Sequence, residues 1–293
     1  MSLDELRSLV NRHARPDGTT DLDGVLVSRV SSPGEPSASM SGTVFALIAQ
    51  GAKRLALGER VYEYRAGQYL VASVDMPVTG HFTSAPALGF GLVLQPQMVA
   101  ELLLRADHLP RDSGPVSGIA VSDASPELLD AVVRLLRLFD RPRDLTVLGP
   151  LVIREILWRL ITGEQGALVR QLGLADSNLA LVARAVRWIR DHYREAFRVE
   201  DVARLAGMSV SAFHRNFQAV TAMSPIQFQK RIRLQEARLL VTSGAGDVTG
   251  IGYRVGYESP SQFSREYRRL FGVPPSQDST TTLRPLGTVT SAV

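Results

Sequence analysis

Apolar residues between Thr43 and Gln95 fall in short runs: TVFALIAQ, KRLALG, RVYEY, QYLVASV, HFTSA and LGFGLVLQ. Gly51, Gly58, Gly67, Pro77, Gly80 and Pro86 punctuate them. Runs of this length, rich in β-branched and aromatic residues, predict strands, and LALGERVYEY predicts a hairpin turning at Gly58 and Glu59. Several short strands at close spacing imply a small barrel or sandwich. At Pro96 the period changes to that of helices, which are expected over 97–106, 125–140, 147–162 and 179–194. Leu128, Leu129, Val132, Leu135, Leu136 and Phe139 stripe the second of these, and Leu151, Val152, Ile156 and Leu160 the third. The stretch from Asp140 to Asp144 is expected to separate them. The pair either offers a dimerisation surface or simply covers the sheet.

Further along, one helical pattern occurs twice. VEDVARLAGMSVSAFHRNFQAVTAMSP spans 199–225, and VTGIGYRVGYESPSQFSREYRRLFGVPP spans 248–275. A shift of 50 superimposes Ser211 on Ser261, Phe213 on Phe263, Arg215 on Arg265, Phe217 on Tyr267 and Pro225 on Pro275. Upstream of the turn the shift is 49, pairing Val202 with Ile251 and Gly207 with Gly256. The second copy therefore has one extra residue in its turn. A repeat that keeps its special-backbone residues is a repeated supersecondary unit. In the first copy Val202, Ala203 and Leu205 share one helical face, Gly207 permits a sharp turn, and Ser209 is a natural N-cap. Phe213 and Phe217, four apart, bury against the preceding helix, and small Ala203 or Gly252 lets the two helices cross closely. This is a helix-turn-helix, whose second helix enters the major groove of DNA. The two units are expected over about 199–222 and 248–271.

PIQFQKRIRLQEARLLVTSG, which joins them, carries helix formers and a broad apolar stripe. About 17 residues would make a connector of roughly 25 Å. That spacing could set two recognition helices about one duplex turn apart. Glycines at Gly250 and Gly252 are expected to fray the first helix of the second unit, since each costs up to about 1 kcal/mol relative to alanine.

Charge sharpens this picture. Residues 177–275 carry Lys230 and 14 arginines against eight acids, a net +7, in a chain whose total is +4. Positive charge is thus concentrated where phosphates would be met.

Residues 177–275 closely resemble the DNA-binding domain of the AraC/XylS family of bacterial transcription regulators. The resemblance rests on DVARLAGMSVSAFHRNF, on RIRLQEARLLV and above all on VGYESPSQFSREYRRLFGVPP. It implies that the second helix of each unit reads DNA, through Val210, Ser211, His214 and Arg215 in the first and Pro260, Ser261, Gln262 and Arg265 in the second. Arg215 and Arg265 can pair bidentately with guanine or clamp a phosphate, and Gln262 can read adenine. Ser211 and Ser261 have a competing role as helix caps. QGAKR, YEYRAGQYL and SVDMPVTG, within residues 49–82, resemble the N-terminal domain of one branch of the same family, more loosely continued by residues 151–171. That resemblance implies a cupin-like barrel that senses a small molecule or mediates self-association. Tyr62, Tyr64, Tyr69 and His81 are the effector-pocket candidates.

Other chemistries find little purchase. The chain has no cysteine and five histidines, of which only His81 lies in the strand region, so neither a metal cupin nor a thiol nucleophile is expected. No phosphate loop or nucleophile elbow appears. Cofactors, metals and catalysis are therefore not expected. Charged residues through 1–25 and the lack of a run of about 20 apolar residues argue for a cytoplasmic protein without a membrane span. The expected fold class is α+β in two domains. A cupin-like β-barrel with flanking helices occupies 1–175, with a Ser/Pro/Gly-rich loop at 31–42. An all-α DNA-binding domain follows at 176–276, then a disordered tail at 277–293. The junction is placed at Gly173 to Asn178. The expected function is sequence-specific transcription regulation under effector control. Operator DNA is the partner, with RNA polymerase a further partner for an activator, and a homodimer is allowed. The competing reading is a repressor or architectural protein whose barrel only dimerises.

Overall fold

A computed structural model describes residues 3–106, 109 and 117–278. The chain forms two compact units that part between Leu181 and Val182, just beyond the expected junction.

The first unit is built on antiparallel strands: β1 (Val25–Val30), β2 (Ser37–Met40), β3 (Val44–Leu57), β4 (Arg60–Arg65), β5 (Gln68–Ala72), β6 (Pro77–Val93) and β7 (Ile119–Asp123). Their order is β1-β6-β3-β5-β7, with β2 added to β6 and β4 added to β3. The long strands β3 and β6 pair with each other throughout and are shared by two half-sheets, β1-β6-β3-β5-β7 and β2-β6-β3-β4. Sequence punctuation misleads here. Gly51 and Gly80 with Pro86 were expected to end strands, and the six expected runs merge into fewer, longer ones. Gly51 instead sits at φ 84° within β3, where register shifts between Ile48 and Lys53 bend the strand without ending it. A Cβ at Gly51 would lie 2.9 Å from the Ala87 Cβ, so the bend also needs the close approach only glycine allows. The hairpin at Gly58 and Glu59 forms as expected, with Leu57 opposite Arg60. β2 lies within the stretch expected to be loop, and β1 and β7 were not foreseen.

Helices flank the sheet: α1 (Leu3–His13), α2 (Pro96–Leu103), α3 (Pro126–Leu138), α4 (Pro142–Thr162) and α5 (Gly166–Leu172). α1 buries Leu6, Leu9 and Val10 and is tied to α3 by Arg137 and Glu5 at 2.6 Å. α3 matches the expected span and is capped by Ser125, whose side chain accepts from the Leu128 N–H. α4 begins five residues earlier than expected, because Pro142 stands in the first turn, where a missing N–H costs nothing. Ile156 and Leu160 are buried as expected, whereas Leu151 faces outward with Val147 and Leu148.

The second unit contains α6 (Asn178–Asp191, which spans the division between units), α7 (Val199–Leu205), α8 (Val210–Thr221), α9 (Pro225–Thr242), α10 (Val248–Arg254) and α11 (Pro260–Phe271). Connector α9 opens with a capping box, in which Ser224 and Gln227 satisfy each other's backbone N–H groups. Of the expected tail, Asp278 accepts from the Tyr267 hydroxyl at 2.7 Å and pairs with Arg238 at 3.0 Å. Residues 279–293 lie outside the described residues. Among the described residues no helix is long and apolar enough to cross a membrane, and no group of three or more His, Asp or Glu could hold a metal ion.

Candidate nucleic-acid interface

Each repeat folds into two helices joined by a tight turn. In the first, Gly207 at φ 73° reverses the chain after α7, and Ser209 caps α8 by accepting from the Ala212 N–H at 3.3 Å. Phe213 and Phe217 are fully buried with ring centroids 5.3 Å apart, and Phe217 meets Phe228 of α9 edge-on at 5.4 Å. One face of α8 is thereby fixed against the connector. Its other face presents Val210, Ser211, His214 and Arg215, all exposed.

In the second repeat Asp247 caps α10 and Ser259 caps α11. Phe263 and Tyr267 are buried in a core with Leu234, Ala237, Ile251 and Val255. The expected fraying of α10 is not observed: the helix runs over seven residues. Both its glycines have a local reason. The Gly250 N–H donates to the Asp247 carboxylate at 3.1 Å, where a Cβ would stand 2.8 Å from the second carboxylate oxygen, and a Cβ at Gly252 would stand 3.0 Å from the Phe263 ring. Helix-helix approach thus outweighs helix propensity.

The outward face of α11 differs from that of α8. Ser261 and Arg265 are exposed, Pro260 is half-buried, and the Ser261 hydroxyl lies 2.9 Å from that of its neighbour Ser259. Gln262 is half-buried, and its amide nitrogen donates to Glu266 at 3.1 Å. Glu266 also accepts from Lys230 of α9 at 2.9 Å and from the Tyr257 hydroxyl at 2.8 Å. Burial opposes the charge on Glu266, but the hydrogen bonds from Lys230, Gln262 and Tyr257 outweigh it, so its carboxyl titrates below its ordinary range. Arg265, Arg268 and Arg269 line an open groove of about 580 Å³ together with Ser264, Gly272 and Pro274. Arg268 and Arg269 were absent from the sequence-derived set, although the three arginines at i, i+3 and i+4 mark one basic helix face.

Another unforeseen residue holds the second repeat in place. Arg233 of α9 donates to the carbonyls of Tyr193 at 2.6 Å, Gly256 at 2.7 Å, and Arg194 and Glu195 at 3.1 Å each. Gln229 adds bonds to Tyr193 and Glu195. The guanidinium therefore serves the unpaired carbonyls after α6 and the turn between α10 and α11 at once.

The four effector-pocket candidates do not gather at one point. Tyr62 and Tyr64 alternate onto the inner face of β4, opposite Leu55 and Lys53. Tyr69 packs in the core at 5.3 Å from Phe45, and burial raises its phenol pKa against the hydrogen bond to Ser122. His81 pairs with Arg54, on the opposite face from Lys53.

Comparison with known proteins follows the same division. The family model for the AraC-type transcriptional regulator N-terminus matches residues 21–168, and a helix-turn-helix domain model matches 202–280. The chain belongs to the AraC family of transcription regulators. The virulence regulon transcriptional activator VirF of Yersinia enterocolitica is 27% identical over 216 residues, covering 72% of this chain and 73% of VirF. The HTH-type transcriptional regulator ExsA of Pseudomonas aeruginosa is 27% identical over 230 residues, covering 76% and 77%. An apo structure of ToxT from Vibrio cholerae shares the fold at a TM-score of 0.52 and 11% identity, covering 88% of this chain and 97% of ToxT. VirF and ExsA are transcription regulators, and helix-turn-helix members of the family bind DNA.

Proposed function

We propose that α8 and α11 read two neighbouring major-groove segments of one operator, with α9 as the spacer between them. The carrying observation is that each helix buries two aromatic residues on one face and turns an exposed polar face, with an arginine at matching positions Arg215 and Arg265, to solvent. Val210, Ser211, His214 and Arg215 form the first reading face, and Pro260, Ser261, Gln262 and Arg265 the second. Arg268 and Arg269 extend the second face as phosphate contacts. Residues 1–175 form the regulatory part and 176–276 the DNA-binding part. An effector bound within the sheet unit would alter how the readers are presented. The outward apolar residues Val147, Leu148 and Leu151 on α4 favour a self-association surface over a purely covering helix. RNA polymerase is the further partner where the protein activates. The protein acts in the cytoplasm and carries out no catalysis of its own.

Arg265→Ala is expected to weaken binding to the selected operator by about 1–3 kcal/mol and relax preference at one base pair. Selection from random oligonucleotides followed by fluorescence anisotropy measures both; unchanged affinity and selectivity would remove Arg265 as a reader. Arg268→Ala and Arg269→Ala are expected to act differently. Each should weaken binding to all sequences alike and reduce the slope of log K against log salt by about 0.9. A base-specific loss with the salt slope intact would contradict the phosphate assignment.

A further inference from the structure

The inner face of the first unit holds a lysine that no described residue neutralises. Lys53 of β3 lies directly across from Tyr64 of β4 and from Phe82 of β6. Cross-strand partners point to the same face, and here it is the apolar one: Tyr64, Phe82, Leu55 and Leu57 are all buried. One residue on, Arg54 and Glu63 stand on the outer face, more than half exposed and 3.7 Å apart. Outside, then, the charges are matched. Inside, the Lys53 amino group lies over the Phe82 ring at 5.2 Å and has neither an ion pair nor a hydrogen bond among the described residues. The Tyr64 hydroxyl is equally without a partner among the described residues. Neither polar atom is sealed within the packing, for Lys53 is only half-buried by surface and the Tyr64 oxygen is not among the fully enclosed unpaired atoms. Crowding by surrounding protein raises the Tyr64 pKa, which holds the phenol protonated, and lowers that of Lys53, so the ammonium there is disfavoured until an anion comes to face it.

We propose that Lys53 and Tyr64 form the anchor of an effector site for a small monocarboxylic acid, whose apolar body lies against Leu55 and Phe82. One ammonium balances one carboxylate, and the phenol O–H donates to the second carboxylate oxygen. A phosphate monoester would bring a charge of about −1.5 to −2, which a single lysine leaves unmatched in an apolar setting. A neutral ligand would leave the ammonium as it stands. The inference rests on the reading of the sheet unit as the regulatory part.

The test uses the full chain, with calorimetric titration of benzoate, hexanoate and decanoate against benzyl alcohol, hexan-1-ol and decan-1-ol. At least one acid is expected to bind at least tenfold more tightly than its alcohol. Lys53→Met should abolish that preference while leaving alcohol binding unchanged. Tyr64→Phe, which keeps the lysine and the ring, should weaken acid binding by about tenfold. Both variants are checked for cooperative melting, and Tyr64→Phe carries the test should Lys53→Met not fold. Binding of no acid in the panel, or an unaltered acid preference in the folded variants, overturns the site. Operator affinity measured with and without the bound acid separates the two readings. Acid binding that leaves operator affinity unchanged keeps the site and refutes effector control. Sequence-selective DNA binding without acid binding keeps the regulator and refutes the site.

Discussion

Gly256→Ala is expected to destabilise the second unit by about 4 kcal/mol or more, whereas Gly207→Ala, at the equivalent turn of the first repeat, should cost only about 1–2 kcal/mol. Both glycines sit at positive φ, 93° and 73°, and an L-residue pays roughly 1–2 kcal/mol for that conformation. Their surroundings differ. At Gly207 an added Cβ would meet nothing within 4 Å. At Gly256 it would lie 2.3 Å from the Arg194 carbonyl oxygen and 2.9 Å from the Arg194 Cα. Those are backbone atoms that cannot rotate aside, so the chain after α6 must move away from the turn. A steric conflict of that kind belongs to the few mechanisms that produce exceptional losses. Urea denaturation of the two variants measures the difference. Equal losses at the two turns would show that the close approach to Arg194 is not a fixed feature of the folded protein.

Features set by local periodicity were legible in the sequence. Phe213 and Phe217, and Phe263 and Tyr267, are buried because a four-residue spacing sets two aromatic rings on one helix face, which then packs inward. The caps at Ser209 and the turns at Gly207 and Gly256 could be read because their residue types have few other uses. Features set by distant chain were not. Arg233 looks like one more solvated charge on α9, yet its acceptors lie 23 to 40 residues away in sequence. The helical wheel turned Gln262 outward, but Glu266 one turn later takes its amide and holds it half inward. Gly51 and Gly80 read as strand ends because glycine in a strand weakens it; in β3 and β6 the ladder continues past them and tolerates a bulge. Helix α1 had its stripe of Leu6, Leu9 and Val10 in plain view, obscured by charges that mattered only for ruling out a signal segment. Lys53 was legible only once register was known, since alternation cannot say which face is inside until Leu55 and Leu57 are seen buried.

Arg233→Ala is expected to cost the second unit about 2–4 kcal/mol and to remove the α11 half of the operator footprint while sparing the α8 half. The guanidinium bonds the Gly256 carbonyl in one direction and the Arg194 carbonyl in another, the same two residues whose backbones come too close for any side chain at 256. It therefore binds the turn of the second repeat to the end of α6 at their point of nearest approach. Hydrogen bonds from a charged donor contribute about 1.5–3 kcal/mol each and do not add fully. Gln229 continues to serve Tyr193 and Glu195 after the substitution, which keeps the loss below the sum of four bonds. Burial lowers the Arg233 pKa, and Tyr257, Glu258 and Glu266 partly offset that, so the site retains the charge by geometry and not by a direct ion pair. Arg233→Lys should rescue little, because a single ammonium cannot reach carbonyls on both sides of the gap. The first repeat leans on α9 through Phe217 and Phe228, and none of the Arg233 acceptors lies within its two helices. Footprinting on the selected operator, paired with denaturation, reads both effects. Full protection across both halves, or full rescue by lysine, would mean that the second reader is held by its apolar core alone.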